Sequence, residues 1–168
     1  MASFFIDYGA TATNYTVRLT GLTSSGTLLA GAESTNVSNA TDEYMDFLVS
    51  GQIGISTGAT ANSQIQVWIY ANLNDVPTYP GPLDGSASSA TFTTLGAKNA
   101  GLKLLTIIDV TATSSINYPF GPIGIAQLFG GFVPKNHGIF VTHNTAAVLS
   151  ATTANHFIFR QPVNARSV

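Results

Sequence analysis

Three features of this chain predict an all-β fold: a jelly-roll-like antiparallel β-sandwich with an extended N-terminal arm. Apolar and polar residues alternate with period two along several short runs, the mark of half-buried strands. No long run carries the 3.6-residue period of an amphipathic helix. Gly, Pro, Ser and Asn clusters separate the runs as turn signals do. A chain of 168 residues with strands of this kind suits a jelly roll better than a shorter immunoglobulin-type domain.

Residues 1–13 pattern weakly and read as the arm; residues 14–168 read as the single domain. The first expected strand is Asn14–Thr23. In Asp46–Ser56 the residues Phe47, Val49, Gly51, Ile53 and Ile55 share one face, and Asp46, Ser50, Gln52 and Ser56 share the other. In Ser63–Leu73, Ile65, Val67, Ile69 and Ala71 oppose Gln64, Gln66, Trp68 and Tyr70. Thr57–Asn62 between these two runs reads as a hairpin loop. Asn74–Ser89 holds three Pro and reads as a long surface loop. Leu104–Thr113 is apolar on both faces, as a central strand is. Ile123–Phe129 is long enough for one helical turn, stopped by Gly130-Gly131. Gly138–Asn144 and Asn155–Val163 read as a second hairpin, closed by Thr145–Ala154.

Charge is scarce. Six Lys or Arg and eight Asp or Glu are set among 21 Thr, 15 Ser and 12 Asn, where an ordinary domain is about a quarter charged. The surface must therefore be faced with neutral hydroxyls and amides. Net charge is −2 with no basic run, which argues against nucleic acid as a partner. The absence of cysteine removes disulfides and thiolate chemistry. No apolar run approaches the ~18 residues of a membrane span, and the N-terminus lacks the basic and apolar regions of a secretory signal. The sequons at Asn14, Asn36 and Asn39 are what a Thr/Ser/Asn-rich composition produces by chance.

Catalysis finds little material. Asp42, Glu43 and Asp46 form an acidic cluster, but no carboxylate elsewhere is marked as its partner, so it reads as a solvated lead-in to a strand. Gly51-Gln-Ile-Gly54 and Gly121-Pro-Ile-Gly124 lack the Gly-Lys-Ser/Thr ending of a phosphate loop. His143 and His156 would face each other across the second hairpin, two ligands of a metal site that wants a third. A plain cross-strand pair is the preferred reading, and no metal or cofactor is expected. The chain is expected not to be an enzyme.

Aromatic residues are the better lead. Trp68 and Tyr70 share what reads as the outward face of their strand, suited to packing under a loop or against another subunit. Phe4, Phe5, Ile6 and Tyr8 in the arm are candidate partner contacts, with Trp68 and Tyr70 next. A glycan-binding groove is the alternative, drawing on Asp75, Tyr79 and Asp84 of the long loop.

From Leu128 to Val163 the chain runs Leu-Phe-Gly-Gly-Phe-Val-Pro-Lys-Asn-His-Gly-Ile-Phe-Val-Thr-His-Asn-Thr, a small-residue loop, then Asn-His-Phe-Ile-Phe-Arg-Gln-Pro-Val. This resembles the C-terminal part of tailed-bacteriophage capsid decoration, or cement, proteins, and Asp46–Leu73 looks like that group's central hairpin. The resemblance implies a virion protein on the outer surface of the capsid. It implies binding to the major capsid protein and to further copies of itself, as a homodimer or homotrimer, so that neighbouring shell subunits are bridged. A carbohydrate-binding β-sandwich of a tail fibre or host-attachment protein is the second expectation.

Overall fold

The computed structural model describes residues 4–9, 11–74 and 76–167. Among the described residues, eleven strands form two antiparallel sheets. The first sheet holds β1 (Phe4–Asp7), β2 (Thr13–Asn14), β5 (Asp46–Gly54), β9 (Asn117–Gly124) and β11 (Phe157–Ser167). Its order is β1-β11-β5-β9, with β2 also on β11. The second holds β3 (Ala30–Glu33), β4 (Val37–Ser38), β6 (Ser63–Ala71), β7 (Ser89–Thr91), β8 (Lys103–Val110) and β10 (Asn136–His143). Its order is β7-β3-β10-β6-β8, with β4 also on β10. The all-β sandwich predicted from period two is thus the fold.

The main core lies between the sheets. All five alternate residues predicted to share a face of β5 and its exit, Phe47 through Ile55, are buried. They meet Ile65, Val67 and Ile69 of β6 and Ile139 and Val141 of β10. Each such side chain contributes about 1.5–3 kcal/mol by leaving water.

Strand pairing departs from both predicted hairpins. β5 pairs with β11 and β9, while β6 pairs with β10 and β8, so Thr57–Asn62 crosses from one sheet to the other. Likewise β10 and β11 lie in different sheets, and Thr145–Ala154 is a second crossover. A short polar loop serves a crossover as well as a hairpin, so loop composition did not separate them.

Other elements also differ. The strand expected over Asn14–Thr23 shrinks to Thr13–Asn14 and a single bridge from Val17 to Ser34. β8, read as central, is the edge of its sheet, with Leu104 and Ile107 partly exposed. A bulge against Val67 and Trp68 breaks its alternation, which is why both faces look apolar. β9 is a strand despite Pro119 and Pro122, which an edge strand tolerates. The turn before Gly130 forms as expected, a 3-10 helix over Ala126–Phe129 with Gly130 left-handed at φ 79°.

A third layer covers the second sheet from outside. Residues 76–88 and the helix α1 (Leu95–Gly101) lie over the faces of β6 and β10 that point away from the sandwich, enclosing with Phe92 a smaller core. Thr94 starts α1 by accepting a hydrogen bond from Ala97 N at 3.1 Å.

Candidate interaction surface

The arm residues sit on a sheet edge. Phe4–Asp7 pair antiparallel with Asn164–Ser167, and β1 ends the first sheet. Phe5, Ile6 and Tyr8 are 57%, 71% and 60% exposed. Phe4 takes part through its backbone; Met1–Ser3 and Ala10 of the arm lie outside the described residues. An edge strand offers a free row of backbone donors and acceptors as well as its side chains.

A second apolar region adjoins this edge. Tyr44, Met45, Gly131, Phe132 and Val133, with Asn39, Glu43 and Lys135 among their neighbours, line an open cleft of about 550 Å³. Phe132 is 80% exposed, carried out on Gly130 and Gly131, both at positive φ. Tyr44 joins the two regions: a methyl group on Gly9 would meet Tyr44 Cε1 at 3.4 Å and Pro162 at 3.6 Å. The arm therefore runs directly against the wall of the cleft. Periodicity alone did not find Phe132 or Met45, because both sit outside strands. The cue was a large aromatic directly after paired glycines.

Trp68 and Tyr70 do share a face, but that face is covered. Trp68 is 8% exposed and Tyr70 fully buried, under Leu83, Ala90, Phe92 and Leu102. Of the two readings open to this pair, packing under a loop and helix is the one realised, and their expected outward exposure is corrected. Tyr70 Oη donates to Glu33 Oε2 at 3.1 Å, with Ser34 O at 3.2 Å. Burial, then the Glu33 charge, push the Tyr70 hydroxyl far above its ordinary range. Glu33, fully buried, also accepts from Asp84 N at 3.1 Å, Gly85 N at 2.9 Å and Ser88 Oγ at 3.0 Å. This one carboxylate fastens the long loop to the sheet. A Cβ at Gly138 would collide with the Tyr70 hydroxyl, so the strand beneath must be glycine there.

Lys98 of α1 is the second buried charge, 1% exposed. Its Nζ donates to Leu28 O at 2.7 Å and Gln66 Oε1 at 3.1 Å, and lies 4.5 Å from the centre of the Trp68 ring. Trp68 Nε1 donates to the same Gln66 oxygen at 3.0 Å. Burial brings the ammonium down to about 8. Above this group opens a cleft of about 690 Å³, lined by Leu28, Leu29, Trp68, Leu95 and Leu104 together with Gln66 and Lys98.

The remaining candidates are structural. His143 pairs in register with Ile65, not with His156, because their strands belong to different sheets. His143 bonds Thr145 Oγ1 at 2.9 Å and Leu22 O at 3.0 Å; His156 bonds Ser150 O at 2.8 Å. Among the described residues no group of three His, Asp or Glu could hold a metal ion. Asp46 caps the 3-10 turn, accepting from Ile125 N at 2.9 Å and Ala126 N at 2.8 Å. Asp84 accepts from Ser86 N at 2.9 Å and Tyr79 packs edge-on against Tyr70, while Asp75 lies outside the described residues. No described helix is long and apolar enough to cross a membrane.

The third histidine, His137, sits fully buried between Phe47 and Tyr15, at ring distances of 5.2 and 6.0 Å. Neither of its ring nitrogens forms a well-made hydrogen bond. Burial, helped by the Arg160 charge, holds it down at about 3, with the Pro134 carbonyl pulling weakly the other way. No family model matches the chain, and no curated protein or solved structure matches it.

Proposed function

We propose that this chain is a structural virion protein that binds the outer surface of a phage head and bridges neighbouring major capsid subunits. One observation carries the reading: Phe5, Ile6 and Tyr8 are exposed along a sheet edge, and Gly9 next to them lies against Tyr44, a wall of the cleft that also holds Met45 and the exposed Phe132. Contiguous exposed apolar surface of this kind marks protein contact. Strand addition at the edge and insertion of Phe132 give two contacts that symmetry would repeat over a shell. The strand order also supports a jelly roll. With β2, β4 and β7 set aside, the remaining strands, renumbered in chain order, run 1-8-3-6 in one sheet and 2-7-4-5 in the other. We take that as two interleaved Greek keys.

The test is co-sedimentation with phage heads stripped of the protein. Phe5→Ser, Ile6→Ser and Tyr8→Ser combined should abolish binding while the domain stays folded; binding at the wild-type level rejects the surface. The glycan-binding alternative has weaker support, since Tyr79 and Asp84 are occupied by contacts inside the chain. Selective binding on a glycan array would favour it.

A further inference from the structure

The cleft over Trp68 combines two features that seldom meet without a ligand. Its walls are mainly apolar: Leu28, Leu29, Trp68, Leu95 and Leu104, with Leu95 and Leu104 51% and 37% exposed, beside the neutral polar Thr27, Gln66 and Asn99. Its floor holds a cation with no anion. Among the described residues, the groups that Lys98 meets are neutral: one backbone carbonyl, one amide oxygen and one indole ring. Burying an ammonium costs several kcal/mol unless an opposite charge offsets it. No other charged side chain lines the cleft. At about 690 Å³ it falls within the range, roughly 300–1,000 Å³, of small-molecule sites.

The chemistry of the walls selects the ligand. A single cation with no arginine fork suits one negative charge better than a phosphate dianion. Leucine walls suit a saturated chain. We propose that this cleft binds an alkyl carboxylate, with its chain between Leu95 and Leu104 and its head group directed at Lys98. Because Lys98 is 1% exposed, the attraction acts across the cleft wall, where the dielectric is low and a charge is felt more strongly than in water. The proposal is independent of the capsid reading, which uses the opposite sheet.

Trp68 is the chain's only tryptophan, so its fluorescence reports on this cleft alone. Octanoate, titrated below its micellar concentration, should change the emission saturably. Octanol should bind about tenfold more weakly, because it lacks the charge. Lys98→Met should erase the difference between the two. Should that variant fold poorly, Leu95→Glu places a like charge at the exposed rim: both ligands lose the Leu95 wall, but octanoate should weaken about tenfold more than octanol. Equal titrations by octanoate and octanol, no saturable change in the wild-type protein, or octanoate weakened by Leu95→Glu no more than octanol would each overturn the site.

Discussion

Aromatic residues occupy two places in this molecule with opposite outcomes. On β1 and directly after it, Phe5 and Tyr8 stand exposed at a sheet edge; on β6, Trp68 and Tyr70 lie under a third layer. Phe5, Trp68 and Tyr70 belong to strands, and strand geometry alone assigns each only to a face. The difference lies in what the rest of the chain does. Over β6, residues 76–88 and α1 fold back across the sheet, anchored by Glu33 and Lys98. These are the two charged side chains buried most deeply among the described residues. In a chain with so few charges, these two are used to hold a cover in place. The β1 edge has no such anchor and no such cover.

Breaking the anchor should give the largest effect. Glu33→Ala leaves two backbone N–H groups and the Ser88 hydroxyl without their acceptor and leaves the Tyr70 hydroxyl only Ser34 O. Unpaired buried donors cost about 1–3 kcal/mol each, and partial rearrangement lowers the sum, so a loss of about 3–4 kcal/mol is expected in urea unfolding. Trp68 emission should shift red well before the global transition, as the cover lifts. A loss below about 1 kcal/mol would mean that the loop is held by packing and not by the carboxylate.

What was legible in the sequence follows the same division. Period two fixed the faces of β5 and β6, because alternation is a property of one strand. It could not fix pairing, because Thr57–Asn62 and Thr145–Ala154 look alike whether they turn back within a sheet or cross to the other. β9 was hidden by its prolines, and α1 by its length of seven residues, too short for a helical period to emerge. The exposed β1 positions were readable as candidates because residues 1–13 pattern weakly and read as an arm carrying large apolar side chains. Glu33 and Lys98 were not, since a lone charge reads as a solvated one until tertiary structure covers it. Phe132 and Met45 needed the three-dimensional placing of Tyr44 against Gly9 to join the arm as one surface.

The main core offers the next test, since it holds a titratable group with no anchor role. His137 ionises at about 3 in the folded chain, against about 6.5 in the unfolded one. The unfolded state therefore binds more protons below pH 6.5. Stability from this group is complete above that pH and is lost as pH falls towards 3. At about 1.4 kcal/mol per unit, roughly 2 kcal/mol should be gone by pH 5. Burial lowers His143 as well and adds to the same trend. Urea midpoints at pH 7.5 and 5 measure the loss. His137→Phe gives up no well-made hydrogen bond, so it should keep stability near neutrality and flatten the slope. An unchanged slope would place the acid sensitivity elsewhere.

The smallest stability effect belongs to β1, and its smallness is what distinguishes a contact surface from a core. Ile6→Ser removes a side chain that is already 71% exposed, and it leaves the backbone pairing of Ile6 with Ala165 in place. Substitutions of that kind usually change stability by no more than about 0.5 kcal/mol. The same exchange at Ile69, fully buried in the main core, should cost several times more, about 2–5 kcal/mol, through lost burial and the cavity left behind. If the Ile6 variant instead melts like the Ile69 variant, β1 is a working part of the fold and its apolar side chains answer to the domain, not to a partner. If it is stable but loses its hold on the head, Ile6 is retained at the edge for what it meets outside the chain.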